Sequence, residues 1–257
     1  MRNNVPVKLL WTGGWDSSYR LLEIVLEEKK EVQPYYIIFK KRWSSKMELK
    51  TMQEIKNALI QKHPQSRELI HNTVVVREEE IIEDETVKDL YYKLKKKCNL
   101  GNQYKTIACF AKQYNLMRLE LGFTKYRLNL LKKYIKNHDL VSVNELDRSV
   151  TPEYLYEFFK YFNFPLLHYS KSEMGVIANN KGWKPILDKT WICHKPIFGK
   201  YPCGGCNPCI QAANDEFTKR RIPLISRLIG PKIKKIYNSR YFMRMRKTSL
   251  TEKKKIL

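Results

Sequence analysis

LLWTGGWDSSYRLL, residues 9–22, joins an apolar run to a helical pattern through two glycines and three small hydroxyl residues. Val5 to Trp11 reads as a buried strand. Asp16 to Lys29 carries apolar residues at helical spacing, among them Tyr19, Leu22 and Leu26. Between them, backbone amides can approach a phosphate only where side chains do not intrude, which suits Gly13 and Gly14. The N-terminus of the following helix offers unpaired N–H groups and a partial positive charge. Ser17 and Ser18 could add hydroxyl donors, and Asp16 could hold a magnesium ion against phosphates. Taken alone, the stretch also reads as a helix cap over a tight turn. It is not the Walker loop, because no lysine stands at the required place, and it lacks the glycine spacing of the dinucleotide fingerprint.

Working outward, the alternation continues. Val32 to Phe39 is a second strand, with Pro34 near its start. Ser45-x-x-Glu48 reads as a capping box opening a helix that ends near His63-Pro64. Thr73 to Arg77 is a short β-branched strand. The six carboxylates of EEEIIEDE, residues 78–85, read as a solvated loop and helix start rather than a metal or cationic-partner site. A helix follows through Lys97, and another is predicted over Asn102 to Leu121. Residues 122–150 give no clear pattern. Thr151-Pro152-Glu153 is a helix start with proline at the first helical position. The aromatic stripe of EYLYEFFKYF reads as core packing rather than a base-stacking platform. Ser170-x-x-Glu173 is another capping box, opening a helix to about Lys181. Strand–helix alternation predicts an α/β, Rossmann-like parallel sheet with helices on both faces.

A chain of 257 residues with 43% hydrophobic content can bury a substantial core. No run of about 18 apolar residues occurs, so no membrane partner is expected. The N-terminus lacks the longer apolar region and cleavage site of a signal peptide, and a cytoplasmic protein is the expectation. The 49 basic residues against 26 acidic ones give a net charge of +23, which favours anionic partners such as nucleotides, nucleic acid or acidic surfaces. The excess is concentrated at the end: Lys219 to Leu257 holds 14 Lys/Arg and one acidic residue, Glu252.

Four of six cysteines, Cys193, Cys203, Cys206 and Cys209, fall within 17 residues of the stretch TWICHKPIFGKYPCGGCNPC, 190–209. Cys-x2-Cys lets two thiolates of one turn face the same ion, and Gly204, Gly205 and Pro208 suit that turn. A tetrahedral zinc site follows, structural because four thiolates leave no open position. An iron–sulfur cluster and catalytic thiols are the alternatives. His194 reads as a neighbour rather than a ligand, and Cys98 and Cys109 as buried free thiols.

Thr12-Gly13-Gly14-Trp15-Asp16-Ser17-Ser18 resembles the Ser-Gly-Gly-x-Asp-Ser signature of the PP-loop ATP pyrophosphatases, with Thr12 in place of the first serine. The resemblance implies binding of ATP phosphates and adenylation of a substrate, with pyrophosphate leaving. The adenine would lie along the second strand near Ile38 and Phe39. Joined to the four cysteines, the motif resembles the 7-cyano-7-deazaguanine (preQ0) synthase family. Phe164-Pro165-Leu166-Leu167, Ser170-Lys171-Ser172-Glu173 and Thr190-Trp191-x-Cys193 follow that family's Pro-Leu, Thr-Lys-x-Glu and Thr-x-Ser-Cys elements in order. Lys171 would then stand near the phosphates. The family's Gly-Arg-Asn appears as Gly101-Asn102-Gln103. Its substrate-associated Tyr-Pro-Asp-Cys-Arg is absent, the nearest stretch being Asn144-Glu145-Leu146-Asp147-Arg148.

The resemblance implies an ATP-dependent carbon–nitrogen ligase that adenylates a carboxylate on a deazapurine, with ammonia or another amine as acceptor. Asp16, Ser17 and Lys171 would be the catalytic residues. Thr12, Gly13, Gly14, Asp16, Ser17, Ser18, Ile38, Phe39 and Lys171 would bind ATP and Mg2+, and the four cysteines Zn2+. The implied organisation is a nucleotide-binding domain over 1–185, a zinc segment over 186–222 and a basic helical tail over 223–257. The tail would dock an anionic partner, tRNA or protein. A tRNA-modifying enzyme, a relative that conjugates a deazaguanine to a protein, and a non-catalytic nucleotide-sensing or nucleic-acid-binding module stand as alternatives; a homodimer is open.

Overall fold

The computed structural model describes residues 5–40, 42–98, 100–125, 146–214 and 222–238. The chain divides into two compact units, Met1–Trp191 and Ile192–Leu257.

In the first unit, strands β1 (Val7–Leu10), β2 (Val32–Ile38), β3 (Val74–Arg77), β4 (Leu119–Glu120) and β5 (Phe162–Asn163) form one parallel sheet in the order β3-β2-β1-β4-β5. Val7 stands opposite Val32, Tyr35 opposite Val74 and Leu9 opposite Glu120. Successive strand side chains point to opposite faces, so two cores form. One face packs Leu9, Trp11, Val32 and Tyr36 against helices α1 (Trp15–Leu22), α2 (Ser45–Lys62), α7 (Lys171–Asn180) and α8 (Lys184–Leu187). The other packs Ile37, Val76, Leu119 and Phe162 against α4 (Glu85–Lys95), α5 (Gln103–Gln113) and α6 (Glu153–Phe159). A four-residue helix, α3 (Ser66–Leu69), precedes β3. The α/β, Rossmann-like reading holds, with helices on both faces. The aromatic stripe is core: Leu155, Phe158 and Phe159 are buried.

The Ser170 box forms as drawn, Ser170 Oγ accepting from Glu173 N at 3.2 Å and Glu173 Oε2 accepting from Ser170 N at 2.6 Å. The acidic run is a 3-10 turn over Glu78–Glu80, after which Asp84 caps α4 by accepting from Val87 N at 3.0 Å. The helix expected over Asn102–Leu121 is corrected. It stops at Gln113, and Asn115 and Arg118 take positive φ angles of 49° and 61°. Asparagine tolerates that conformation, and Leu119 and Leu121 then face one core as strand residues do. The Ser45 box is also corrected. Ser44 is the N-cap, and the Glu48 carboxylate turns inward to accept from Ser44 Oγ at 2.5 Å and Tyr36 Oη at 2.6 Å. Pro152 is the N-cap of α6 rather than its first helical residue. Past Leu22 the first helix widens into a π turn, Glu23–Glu27, with Ile24, Val25 and Leu26 all buried.

That helix carries the main polar tie of the core. Arg20 Nε and Nη2 donate to the two Glu120 oxygens at 2.7 and 2.9 Å, a fork that locks α1 to β4. Nη1 bonds Glu28 and lies 3.4 Å from Glu23. Three carboxylates share one guanidinium, so one of them is under-compensated. Burial pushes Glu23 up to about 7, against the pull of Arg20. Burial also raises Glu120, whereas Arg20 and Lys30 outweigh burial and lower Glu28.

In the second unit, α9 (Asn207–Ala213) and α10 (Leu224–Asn238) flank the cysteine turn. Gly204 and Gly205 pack so closely on Ser226 and Gly230 that neither has room for a Cβ. The rest of the basic tail, 239–257, lies outside the described residues, as do 126–145 with Asn144 and Glu145. Among the described residues no helix is long and apolar enough to cross a membrane.

Because the folded-state pKa of Glu23 lies above its unfolded value, folding takes up a proton, and stability falls as pH rises from about 4.5 to 7. Glu23→Gln removes this loss while leaving Arg20 its other two partners. Denaturant titrations at pH 5 and pH 8 should show the variant gaining on wild type by up to about 3 kcal/mol at the higher pH. Equal pH dependence in both proteins would refute the assignment.

Candidate functional site

The strand order reverses at β1, whose neighbours β2 and β4 lead off in opposite directions, so the loops after β1 and β4 border a crevice at the carboxyl ends of the strands. Gly13 opens the first loop at φ 66°. A Cβ there would meet Glu48 O at 3.0 Å and Met52 Cγ at 3.1 Å, so both conformation and space demand glycine. The Gly13 carbonyl accepts from Trp191 N at 2.9 Å. Gly14 is the N-cap of α1 and provides no side-chain cap, which leaves the first-turn amides without intrahelical partners.

The hydroxyls divide. Ser17 Oγ sits 3.3 Å from Thr12 N and from Thr12 Oγ1, and 3.4 Å from Gly14 O. These are long bonds at the loop, readily exchanged for an incoming acceptor. Ser18 is fully buried and accepts from Trp11 Nε1 at 3.0 Å. That position assigns its hydroxyl to the core under the sheet rather than to a ligand above it.

Asp16 and Lys171, 155 positions apart in sequence, meet at this loop. Lys171 is the first residue of α7, and its Nζ lies 3.6 Å from Asp16 Oδ1. That carboxylate oxygen is buried and accepts no hydrogen bond. The Lys171 ammonium is the positive charge that faces this buried oxygen, from just beyond hydrogen-bond distance. Gly122, after β4, closes the other side. A Cβ there would stand 3.2 Å from Ser17 N and 3.3 Å from Asp16 Cβ. Sequence reasoning missed Gly122, because it lay in the stretch without a pattern.

Ile38 ends β2, half-buried against the α1 face, while Phe39 packs toward the opposite core. The Phe39 carbonyl already accepts from Arg42 N at 3.0 Å, and Lys40 N donates to Glu78 at 2.9 Å. Leu146 is buried, Asp147 caps Ser149 by accepting from its N at 3.0 Å, and Arg148 stands 5.2 Å from the Tyr156 ring. Those three residues therefore serve the start of α6.

In the second unit, the ligand atoms of Cys193, Cys203, Cys206 and Cys209 lie within 4.8 Å of one another. Backbone amides point at the sulfurs: Cys203 N to Cys193 Sγ at 3.2 Å, and Cys206 N to Cys203 Sγ at 3.3 Å. Their mutual hydrogen bonds lower Cys203 and Cys206 and raise Cys193 and Cys209, so the four thiols share their protons as one group. Convergent sulfurs with amide donors are what a thiolate-bound metal ion such as zinc requires. Cys98 is half-buried and Cys109 buried, and burial raises both thiols.

Two outcomes follow. Gly122→Ala should cost about 1–3 kcal/mol through overpacking against α1, while Gly101→Ala, whose Cβ would make ordinary contacts at 3.7 Å or more with the Tyr104 ring and Gln103 Cγ, should not. Calorimetric melting of both variants checks this, and equal melting would refute the close packing. Cys206→Ser should lose most bound metal and melt at a lower temperature. Elemental analysis showing full metal content in the variant would count against the four-sulfur site.

No family model, curated protein or solved structure matches this chain.

Proposed function

We propose that the first unit is an ATP-dependent adenylating enzyme of the PP-loop type, acting on a carboxylate carried by a 7-deazaguanine or a similar flat heterocycle. The observation that carries this reading is the group assembled at one loop: a glycine turn, uncapped helix amides, the buried Asp16 oxygen and Lys171 at 3.6 Å. Amides and lysine suit the phosphates of ATP. Asp16 would hold magnesium, which supplies charge neutralisation at the phosphates when bound.

In this reading the loop amides and Ser17 fix the polyphosphate so that the α-phosphorus faces the acceptor. A carboxylate oxygen attacks that phosphorus, the bond to the bridging oxygen of the β-phosphate breaks, and pyrophosphate leaves. An amine then attacks the acyl carbon, AMP departs with the electron pair of the broken C–O bond, and the amine nitrogen gives up a proton, leaving an amide. Where the amine is ammonia, adenylation of that primary amide's oxygen with release of a second pyrophosphate, followed by loss of AMP and the two nitrogen protons, would give a nitrile. Lys171 would balance charge on the departing phosphates, and the protein's contribution is positioning and electrostatics. The four cysteines would hold zinc as a cross-link in the second unit, a structural role.

The net charge of +23, with its excess near the C-terminus, favours one second reading: the same adenylation directed at a tRNA base. Turnover that requires tRNA, with binding that weakens steeply with salt, would select it.

Asp16→Asn should abolish release of AMP and pyrophosphate from ATP and 7-carboxy-7-deazaguanine, by about 100-fold or more, with unchanged circular dichroism. Mass spectrometry for an adenylate, amide or nitrile reads the products. Wild-type turnover in that variant would sink the proposal.

A further inference from the structure

The carboxyl end of β2 carries a second polar cluster that the adenylation reading leaves unused. Arg42 is its centre, with a side chain only 14% exposed. Its Nη1 lies 3.4 Å from Glu48 Oε2, its Nη2 donates to Gln103 Oε1 at 2.6 Å, and its Cζ stands 5.0 Å from the centroid of the Phe39 ring. Partners from the end of β2, the first turn of α2 and the start of α5 thus hold one guanidinium in place.

The charge balance of this cluster is incomplete. Glu48 is the only carboxylate in contact with Arg42 among the described residues, and it already accepts from Ser44 Oγ and Tyr36 Oη at 2.5 and 2.6 Å. Its contact with Arg42 is correspondingly long. Arg42 also fixes which way Gln103 faces. The amide oxygen is committed to Nη2, so the NH2 group points elsewhere, and it has no bonded partner among the described residues. Arg42 Nε has none either. The guanidinium and the carboxamide NH2 both present N–H donors, the chemistry that suits an oxyanion. Arg42 thus neutralises the buried Glu48 carboxylate and still keeps donors to spare, which suits an added anion.

The cluster adjoins the loop. The Glu48 carbonyl is the atom a Cβ at Gly13 would meet at 3.0 Å, so both share the first turn of α2.

We propose that Arg42 and Gln103 form an oxyanion-binding subsite beside the Gly13 loop. Its ligand is an oxyanion of one of the two reactants, the acceptor's carboxylate or a phosphate of ATP. The choice of reactants rests on the adenylation reading; the donor geometry does not.

Two variants test it in the full chain. Arg42→Lys keeps the charge opposite Glu48 but loses the planar fork, and Gln103→Leu removes the second donor while leaving the Arg42–Glu48 pair. Calorimetric titration with MgATP, pyrophosphate and 7-carboxy-7-deazaguanine is the measurement, with thermal melting to verify the fold. Each variant should weaken one oxyanion class by about 10-fold or more, as expected for a charge-assisted hydrogen bond, and leave the other within twofold. Loss confined to the deazaguanine acid assigns the subsite to the acceptor; loss of MgATP and pyrophosphate assigns it to the phosphates. A wild type that forms AMP while both variants bind all three ligands unchanged overturns the subsite and leaves the adenylation reading standing. A wild type that never forms AMP, yet binds pyrophosphate or the acid more tightly than the variants do, overturns the adenylation reading and supports the subsite. A wild type that binds none of the three overturns both.

Discussion

The fork between Arg20 and Glu120 fixes the geometry on which the crevice depends. Strand β4 is only two residues long and pairs with β1 at a single register position, Leu9 with Glu120. Backbone pairing over so short a ladder tolerates slippage. Two hydrogen bonds from α1 to the same glutamate remove that freedom, since a bidentate pair is satisfied in one alignment only. Gly122 follows two residues later and so arrives against Ser17 and Asp16. The surplus acid around Arg20 is the cost of the arrangement, and it falls on Glu23.

Much of this fold was legible in sequence, because periodicity and burial agree wherever an element is long. The strands at Val7 and Val32, the long helix ending at Lys62, and the cap at Ser170 follow from alternation, helical spacing and side-chain oxygens placed before an apolar run. Reading failed where tertiary contacts override local pattern. Leu116, Leu119 and Leu121 continue a helical spacing, yet two left-handed residues break the helix and Leu119 enters β4. Glu48 has the right offset for a box, but a buried tyrosine and an arginine claim it instead. A hydrogen bond to a residue distant in sequence leaves no local signature.

The candidate site shows the same division. The glycine turn and Asp16 are readable because the backbone there needs small residues in a row, and the four cysteines because thiolate spacing is set by one turn. Lys171 came within reach only through a resemblance, since nothing near it in sequence points at Asp16. Ser18 has the correct residue type and the wrong direction, for Trp11 draws its hydroxyl into the core. Arg20, Arg42 and Gly122 carry no local signature, because the role of each depends on a partner in another element, and the contact of Gln103 with Arg42 carries none either.

The hydrogen bond from Trp191 to the Gly13 carbonyl joins the last residue of the first unit to its first loop. On the ribosome, the glycine turn emerges long before the residue that fastens it. Nearly the whole unit must be synthesised before the loop is tied down, a contact of very high sequence separation and thus late in any folding order. A nascent chain stalled before that point would carry the complete motif but an open loop.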